Sequence, residues 1–172
     1  SPAGLFLLTS FLLHMEEGRA IPTRLVCDKR LIQKFIRDAK YMENRTGQCQ
    51  ALPALSYPVV LPLVDFRLQE WKSKSNETKH QEILCDLRLL VDAVAGAQDQ
   101  VTQECGTQQL SQLWQHTNNF FQLLQTFRWE EGPRGPGCPP HFIEQTPIID
   151  IFRTYRQLVQ GKLRFFFNDL CK

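Results

Sequence analysis

The sequence predicts an all-α fold, a four-helix bundle running up-up-down-down with two long crossover loops. Three observations carry this. Four segments repeat apolar residues at helical spacing, the connections between them run long, short and long, and six cysteines stand far apart in a chain of 172 residues. That length suits one domain with a single substantial core.

The last segment, residues 152–172, is the most informative. At about 100° per residue, Phe152, Tyr155, Val159, Leu163, Phe166 and Leu170 share one arc. Arg153, Arg156, Gln160 and Arg164 fall on the opposite arc as a continuous basic stripe. Pro147 suits the first turn of this helix. Cys171 sits just past its end, where it can staple that end to something distant.

The first helix is expected from about Asp28 to Glu43. Leu31, Phe35, Ala39 and Met42 form its buried arc, widened by Ile32 and Ile36. Asp28 suits the positive end of the helix. On the far side Arg30, Lys34, Arg37 and Tyr41 line up at spacings of four, three and four. Both basic stripes can be read as solvated faces or as binding faces. Asn44-Arg45-Thr46 is a glycosylation sequon, and Gly47 ends the helix. Residues 50–62 contain three prolines, which favour an extended path, and their apolar character lays that path along the domain.

The second helix begins near Asp65 and reaches Ala97, with a break expected around residues 72–76. Asn76-Glu77-Thr78 is the second sequon. Its core arc is Ile83, Leu84, Leu87, Leu90, Val91 and Val94; Cys85 lies on the other side with Arg88 and Asp92, which argues against a buried free thiol. A short polar link, 98–106, leads to the third helix, about Thr107 to Phe127. Leu110, Leu113, Trp114, Phe120, Phe121, Leu124 and Phe127 point inward there. Residues 130–140 read as an irregular loop.

A short link makes its two helices antiparallel neighbours. A link of about eighteen extended residues reaches ~60 Å, more than the ~30 Å of a twenty-residue helix. The long links therefore allow the first and second helices to run the same way, and likewise the third and fourth. An up-down-up-down bundle with loose loops stays open.

Twenty Lys and Arg against eighteen Asp and Glu leave a formal charge of +2, which excludes a general nucleic-acid binder. Six widely spaced cysteines with no C-x-x-C indicate an oxidising, extracellular compartment. Gly4 to Leu13 is an apolar run too short to span a bilayer, and Gly18 and Ala20 suit a cleavage site. Residues 1–20 are therefore expected to be a signal-peptide remnant and 21–172 the domain; a packed N-terminal helix is the alternative. No other segment could cross a membrane.

No catalytic motif, metal site or cofactor site is found, so no enzyme is expected. His14, His80, His116 and His141 are scattered, and His116, on the rim of an apolar arc, reads as structural. Glu130 and Glu131 read as a solvated turn. Two classes remain: a secreted signalling protein acting through its outer faces, which is favoured, and an enzyme or carrier with an unrecognised pocket.

The stretch Arg24 to Cys49, R-L-V-C-D-K-R-L-I-Q-K-F-I-R-D-A-K with Asn44 and Cys49 following, resembles the first helix of the erythropoietin and thrombopoietin family of four-helix cytokines. Gly161 to Phe165, G-K-L-R-F, resembles the family's last helix. Pro58 to Lys72, followed by Glu77-Thr78-Lys79, is nearer the thrombopoietin branch. The resemblance covers Cys27 to Cys171. It implies a secreted haematopoietic cytokine, monomeric before binding, that bridges two copies of a type I cytokine receptor and starts kinase signalling. An erythropoietin-like hormone acting on red-cell precursors, or a secreted carrier, are the alternatives.

By matching position, the higher-affinity receptor face would use Phe66, Lys79, Gln160, Lys162 and Arg164. The weaker face would use Asp28, Arg30, Lys34 and Arg37, with the third helix beside it. The resemblance also implies the disulfides Cys27–Cys171 and Cys49–Cys105. Cys85 and Cys138 have no counterparts in the pattern and are left to pair with each other or to stay free. Gln160 stands where the family usually has arginine, and the sequence stops at Lys172, short of the long glycosylated tail typical of thrombopoietin. Two residues stay ambiguous. Lys162 falls within the apolar arc, so it either snorkels to the rim or is paired inside. Phe66, an aromatic at a helix start, is core unless the resemblance governs it.

Overall fold

The computed structural model describes residues 26–127, 138 and 141–172. The expected signal-peptide remnant and most of the 130–140 loop, Glu130 and Glu131 included, lie outside the described residues.

Helix α1 spans Lys29–Gly47, capped by Asp28, whose carboxylate accepts the backbone N–H of Arg30 at 3.0 Å. It runs past the expected Glu43 and through the first sequon. Thr46 stays helical by donating its hydroxyl to the Met42 carbonyl at 2.7 Å. The first crossover then carries a strand β1, Val59–Pro62, and a short helix α2, Leu68–Ser73. The expected break follows, and Ser75 caps α3, Asn76–Gln98, by accepting the N–H of Thr78. Helix α4 spans Glu104–Gln125. The second crossover ends in β2, Phe142–Gln145. The last helix has three parts: α5, Ile148–Leu158, a π-helical turn Val159–Leu163, and α6, Arg164–Leu170. Pro147 is the cap of α5 and not its first-turn residue.

Two covalent links set the directions. Cys27–Cys171 joins the start of α1 to the end of α6, and Cys49–Cys105 joins the end of α1 to the start of α4. Helices α4 and α5–α6 therefore both run against α1. Only a short link separates α3 from α4, so α3 runs with α1. The bundle is up-up-down-down, as the link lengths predict.

The all-α expectation needs one amendment. β1 and β2 pair antiparallel, Val59 opposite Gln145 through Pro62 opposite Phe142. Leu63 donates to the His141 carbonyl at 3.0 Å, so the next pair, Pro62 with Phe142, needs no ladder hydrogen bond there. Proline is tolerated at that position because its missing N–H is not called upon. β1 packs on α3 and ties the two crossovers together across the bundle.

Phe35, Phe120, Phe152, Tyr155, Phe166 and Phe167 fill the centre of the core. Burying each such side chain contributes about 1.5–3 kcal/mol. Phe35 meets Phe120 edge-on at 4.8 Å and His116 at 5.6 Å. At 1% exposure and edge-on to Phe35 and Tyr155, His116 is part of the core, as a structural histidine would be, and burial pushes it down to about 4. Three expectations about faces need correction. Trp114 is 36% exposed, on the border of its helix's inward arc. Val91 is only half-buried, while Cys85, on the supposed outer side, is buried. The reason is that β1 packs on α3 and Cys85 forms a disulfide with Cys138.

Candidate functional site

Helix α2 is six residues long, and its one buried residue is Trp71, at 1% exposure. Three ammonium groups surround the indole, those of Lys74 at 5.7 Å, Lys162 at 5.9 Å and Lys79 at 6.0 Å from the ring centre. Each is neutralised. Lys162 lies 2.7 Å from Glu82 and 3.0 Å from Asp86, Lys74 lies 2.6 Å from Glu82, and Lys79 lies 2.8 Å from Asp169. Lys162 is 2% exposed, so of its two readings the paired one holds.

The two carboxylates on Lys162 titrate in opposite directions. Burial pushes Asp86 up to about 6, because one ammonium does not offset its loss of water. Glu82 also loses water, but it is less deeply buried and holds both Lys162 and Lys74, which together keep it below the usual range. Asp169 loses water too, and Lys79 and Lys172 outweigh that and hold it low.

Phe66 extends this cluster to the surface. It is half-buried, its ring 5.5 Å from Trp71 and 5.7 Å from Phe165. A Cβ on Gly161 would lie 2.9 Å from the Phe66 ring, so glycine at that position is what allows the approach. The π turn also brings Gln160 and Gly161 beside residues 64–66, where they line a shallow cleft with Arg156 and Gln157.

That turn overturns the continuous basic stripe of the last helix. A π turn holds more residues than an α turn, so the uniform angle fails beyond Leu158. Arg153 and Arg156 are tied to Glu43 of α1. Arg164 is half-buried, its guanidinium 5.0 Å from the Phe165 ring centre, and its Nε is buried with no hydrogen-bond partner among the described residues. The expected first-face set thus divides: Phe66, Gln160 and Arg164 reach the surface, while Lys79 and Lys162 lie beneath them.

The second set stays on one helix. Arg30 and Arg37 are exposed, and Lys34 is half-buried. Arg30 leans back on the cap residue Asp28 at 3.1 Å, so part of this stripe also serves the helix end. That contact holds the Asp28 carboxyl below its ordinary range. Asn44 is exposed in the last turn of α1, and Asn76 opens α3 half-buried. No cluster that could hold a metal occurs among the described residues, and no described helix is long and apolar enough to cross a membrane.

The acids that pair with Lys74, Lys79 and Lys162, namely Glu82, Asp86 and Asp169, were absent from the sequence reading. A signal for two of them exists. Lys79, Glu82 and Asp86 recur at steps of three and four, one face of a helix, and that face meets the π turn.

A family model described as erythropoietin/thrombopoietin matches residues 24–172. The chain belongs to the erythropoietin/thrombopoietin family. It is 34% identical to dog (Canis lupus familiaris) thrombopoietin over 163 residues, which is 94% of this chain and 45% of that protein. Against rat (Rattus norvegicus) thrombopoietin it is 34% identical, over 94% of this chain and 48% of the relative. Rat erythropoietin is 26% identical over 88% of this chain and 84% of its own length. The chain spans about half the length or less of the thrombopoietins it matches. The matched span takes in Phe66, the π turn and the α1 stripe, so both expected faces lie within the part shared with the family.

Proposed function

We propose that the chain is a secreted haematopoietic cytokine of thrombopoietin type, acting on the thrombocyte lineage by bridging two copies of a type I cytokine receptor. It works as a hormone and not as an enzyme. The observation that carries this is the match to thrombopoietins over nearly the whole chain, at higher identity than to erythropoietin. The higher-affinity face is the surface of Phe66, Gln160 and Arg164, with Lys79 and Lys162 as its underlay. The second face is α1, through Asp28, Arg30, Lys34 and Arg37. Asn44 and Asn76 carry glycans, and the chain is monomeric until it meets receptor.

The test is growth of cells bearing a thrombopoietin receptor, set against cells bearing an erythropoietin receptor. Growth of the first alone supports the reading. Growth of the second alone would replace it with an erythropoietin-like hormone, the second reading, which the 26% identity to rat erythropoietin over 88% of this chain supports.

A further inference from the structure

A six-residue helix cannot hold its own position, because it has too few internal hydrogen bonds. What fixes α2 is its one buried side chain, Trp71. The ammonium groups around that indole come from three places: Lys74 after α2, Lys79 in the first turn of α3, and Lys162 in the π turn. Three carboxylates hold them there, so the three ammonium groups are matched charge for charge. Phe66 rests against Trp71 and over Gly161.

We propose that Glu82, Asp86 and Asp169 are positioning residues for receptor binding: they keep Lys162 and Lys79 against Trp71, and Trp71 in turn keeps α2 and Phe66 in place. This rests on the reading of the Phe66 surface as the higher-affinity face. None of the three acids is needed to touch the receptor. When one is neutralised, its lysine turns toward water, the indole loses a wall, and Phe66 is free to leave Gly161.

A role in fold stability alone predicts losses that follow the melting temperature. A positioning role predicts a pH profile as well. The groups facing Asp86 are Lys162 from the π turn, Glu82 from its own helix and, across the same cleft, Lys74 and His141. Protonating Asp86 takes one of the two acids from Lys162, so acidification should loosen the face.

The experiment follows dissociation of the chain from the immobilised extracellular region of a thrombopoietin receptor, between about pH 7.5 and about pH 5.5. The parent should dissociate roughly fivefold faster at the acid end. Asp86→Asn should show the faster rate already at neutral pH and lose the pH dependence, and Asp86→Glu should restore it. Asp169→Asn should be faster at both ends and keep the profile. His141 faces Asp86 across the same cleft, so His141→Gln is the control and should also keep the profile. If Asp86→Asn does not fold, Trp71→Phe, which keeps a buried ring, should show the neutral-pH acceleration.

Parent-like rates and profile in Asp86→Asn, or a parent-like rate in Trp71→Phe, overturn the inference. In that case loss of binding in Phe66→Ala leaves the receptor face standing. If the parent does not bind at all, or Phe66→Ala binds as tightly as the parent, the reading of the face itself fails.

Discussion

Lys79 and Asp169 meet at 2.8 Å, joining the first turn of α3 to the last turn of α6 across 90 residues of sequence. Lys79 is 5% exposed in its side chain and Asp169 19%, so the pair sits at the edge of the core and not on the surface. Removing one partner strands the other. Asp169→Ala should cost about 2–3 kcal/mol, below the 3–5 of a fully buried pair because Asp169 still reaches water. Urea unfolding measures this, and a loss under about 0.5 kcal/mol would place the pair among ordinary surface bridges.

Lys162→Ala should cost more, about 3–5 kcal/mol at neutral pH, since it leaves Glu82 and Asp86 facing each other without their shared cation. The loss should shrink as pH falls, because Asp86 takes up a proton once Lys162 is gone. A cost that does not change between about pH 5 and about pH 8 would mean that Asp86 is not the group left exposed to the deficit.

Asp86 also sets a slope in the parent. Its folded pKa, about 6, lies above the unfolded value near 3.8. Its contribution is therefore fully present below about pH 4 and lost as pH rises through about 6, amounting to up to about 3 kcal/mol. Glu82 and Asp169 run the other way, their contributions present at neutral pH and lost in acid. The melting temperature of Asp86→Asn relative to the parent should thus rise from about pH 4 to about pH 7. Thermal melts in matched buffers decide it, and a falling difference contradicts the assignment.

Gly161→Ala separates folding from binding. The new methyl meets only the far end of the Phe66 ring, which can swing away, and alanine favours a helical backbone over glycine by about 1 kcal/mol. Stability should change by less than about 1 kcal/mol, while receptor binding on the Phe66 face weakens. Unaltered binding would mean that the seat of Phe66 does not matter.

Arg37→Glu and Arg164→Glu should fail in different assays. Arg37 is exposed, so its reversal should leave folding within about 0.5 kcal/mol, keep binding to one receptor chain and abolish bridging. Arg164 is half-buried against Phe165, so its reversal should cost about 1 kcal/mol of stability and weaken the first contact. Surface binding to a single ectodomain, run beside a signalling assay, distinguishes the two. If both variants signal like the parent, both stripes are solvated faces.

Helical segments were legible because their apolar residues repeat, and directions were legible because link lengths differ. What the pattern could not reach were pairings across the chain. Residues 59–62 read as extended, but nothing local points to 142–145 as their partner. Lys162 was visible on the apolar arc, yet its partners Glu82 and Asp86 lie about 80 positions away. The break in the last stripe was hidden by the assumption of a uniform turn, which the π turn at Val159–Leu163 violates. The Cys27–Cys171 and Cys49–Cys105 bonds came from family resemblance and not from spacing. Cys85–Cys138 was what remained after them.

The connectivity of those bonds constrains biosynthesis. Cys49–Cys105 and Cys85–Cys138 interleave, and both are enclosed by Cys27–Cys171. Emerging from the ribosome, Cys27 first meets Cys49, which is not its mate, and must wait 144 residues for the one that is. Oxidation in order of appearance would therefore trap the wrong isomer. Where pairs form in that order, reaching the native set calls for thiol–disulfide exchange after most of the chain has been made, and yield in a host cell should then follow its capacity to reshuffle disulfides more than its capacity to form them.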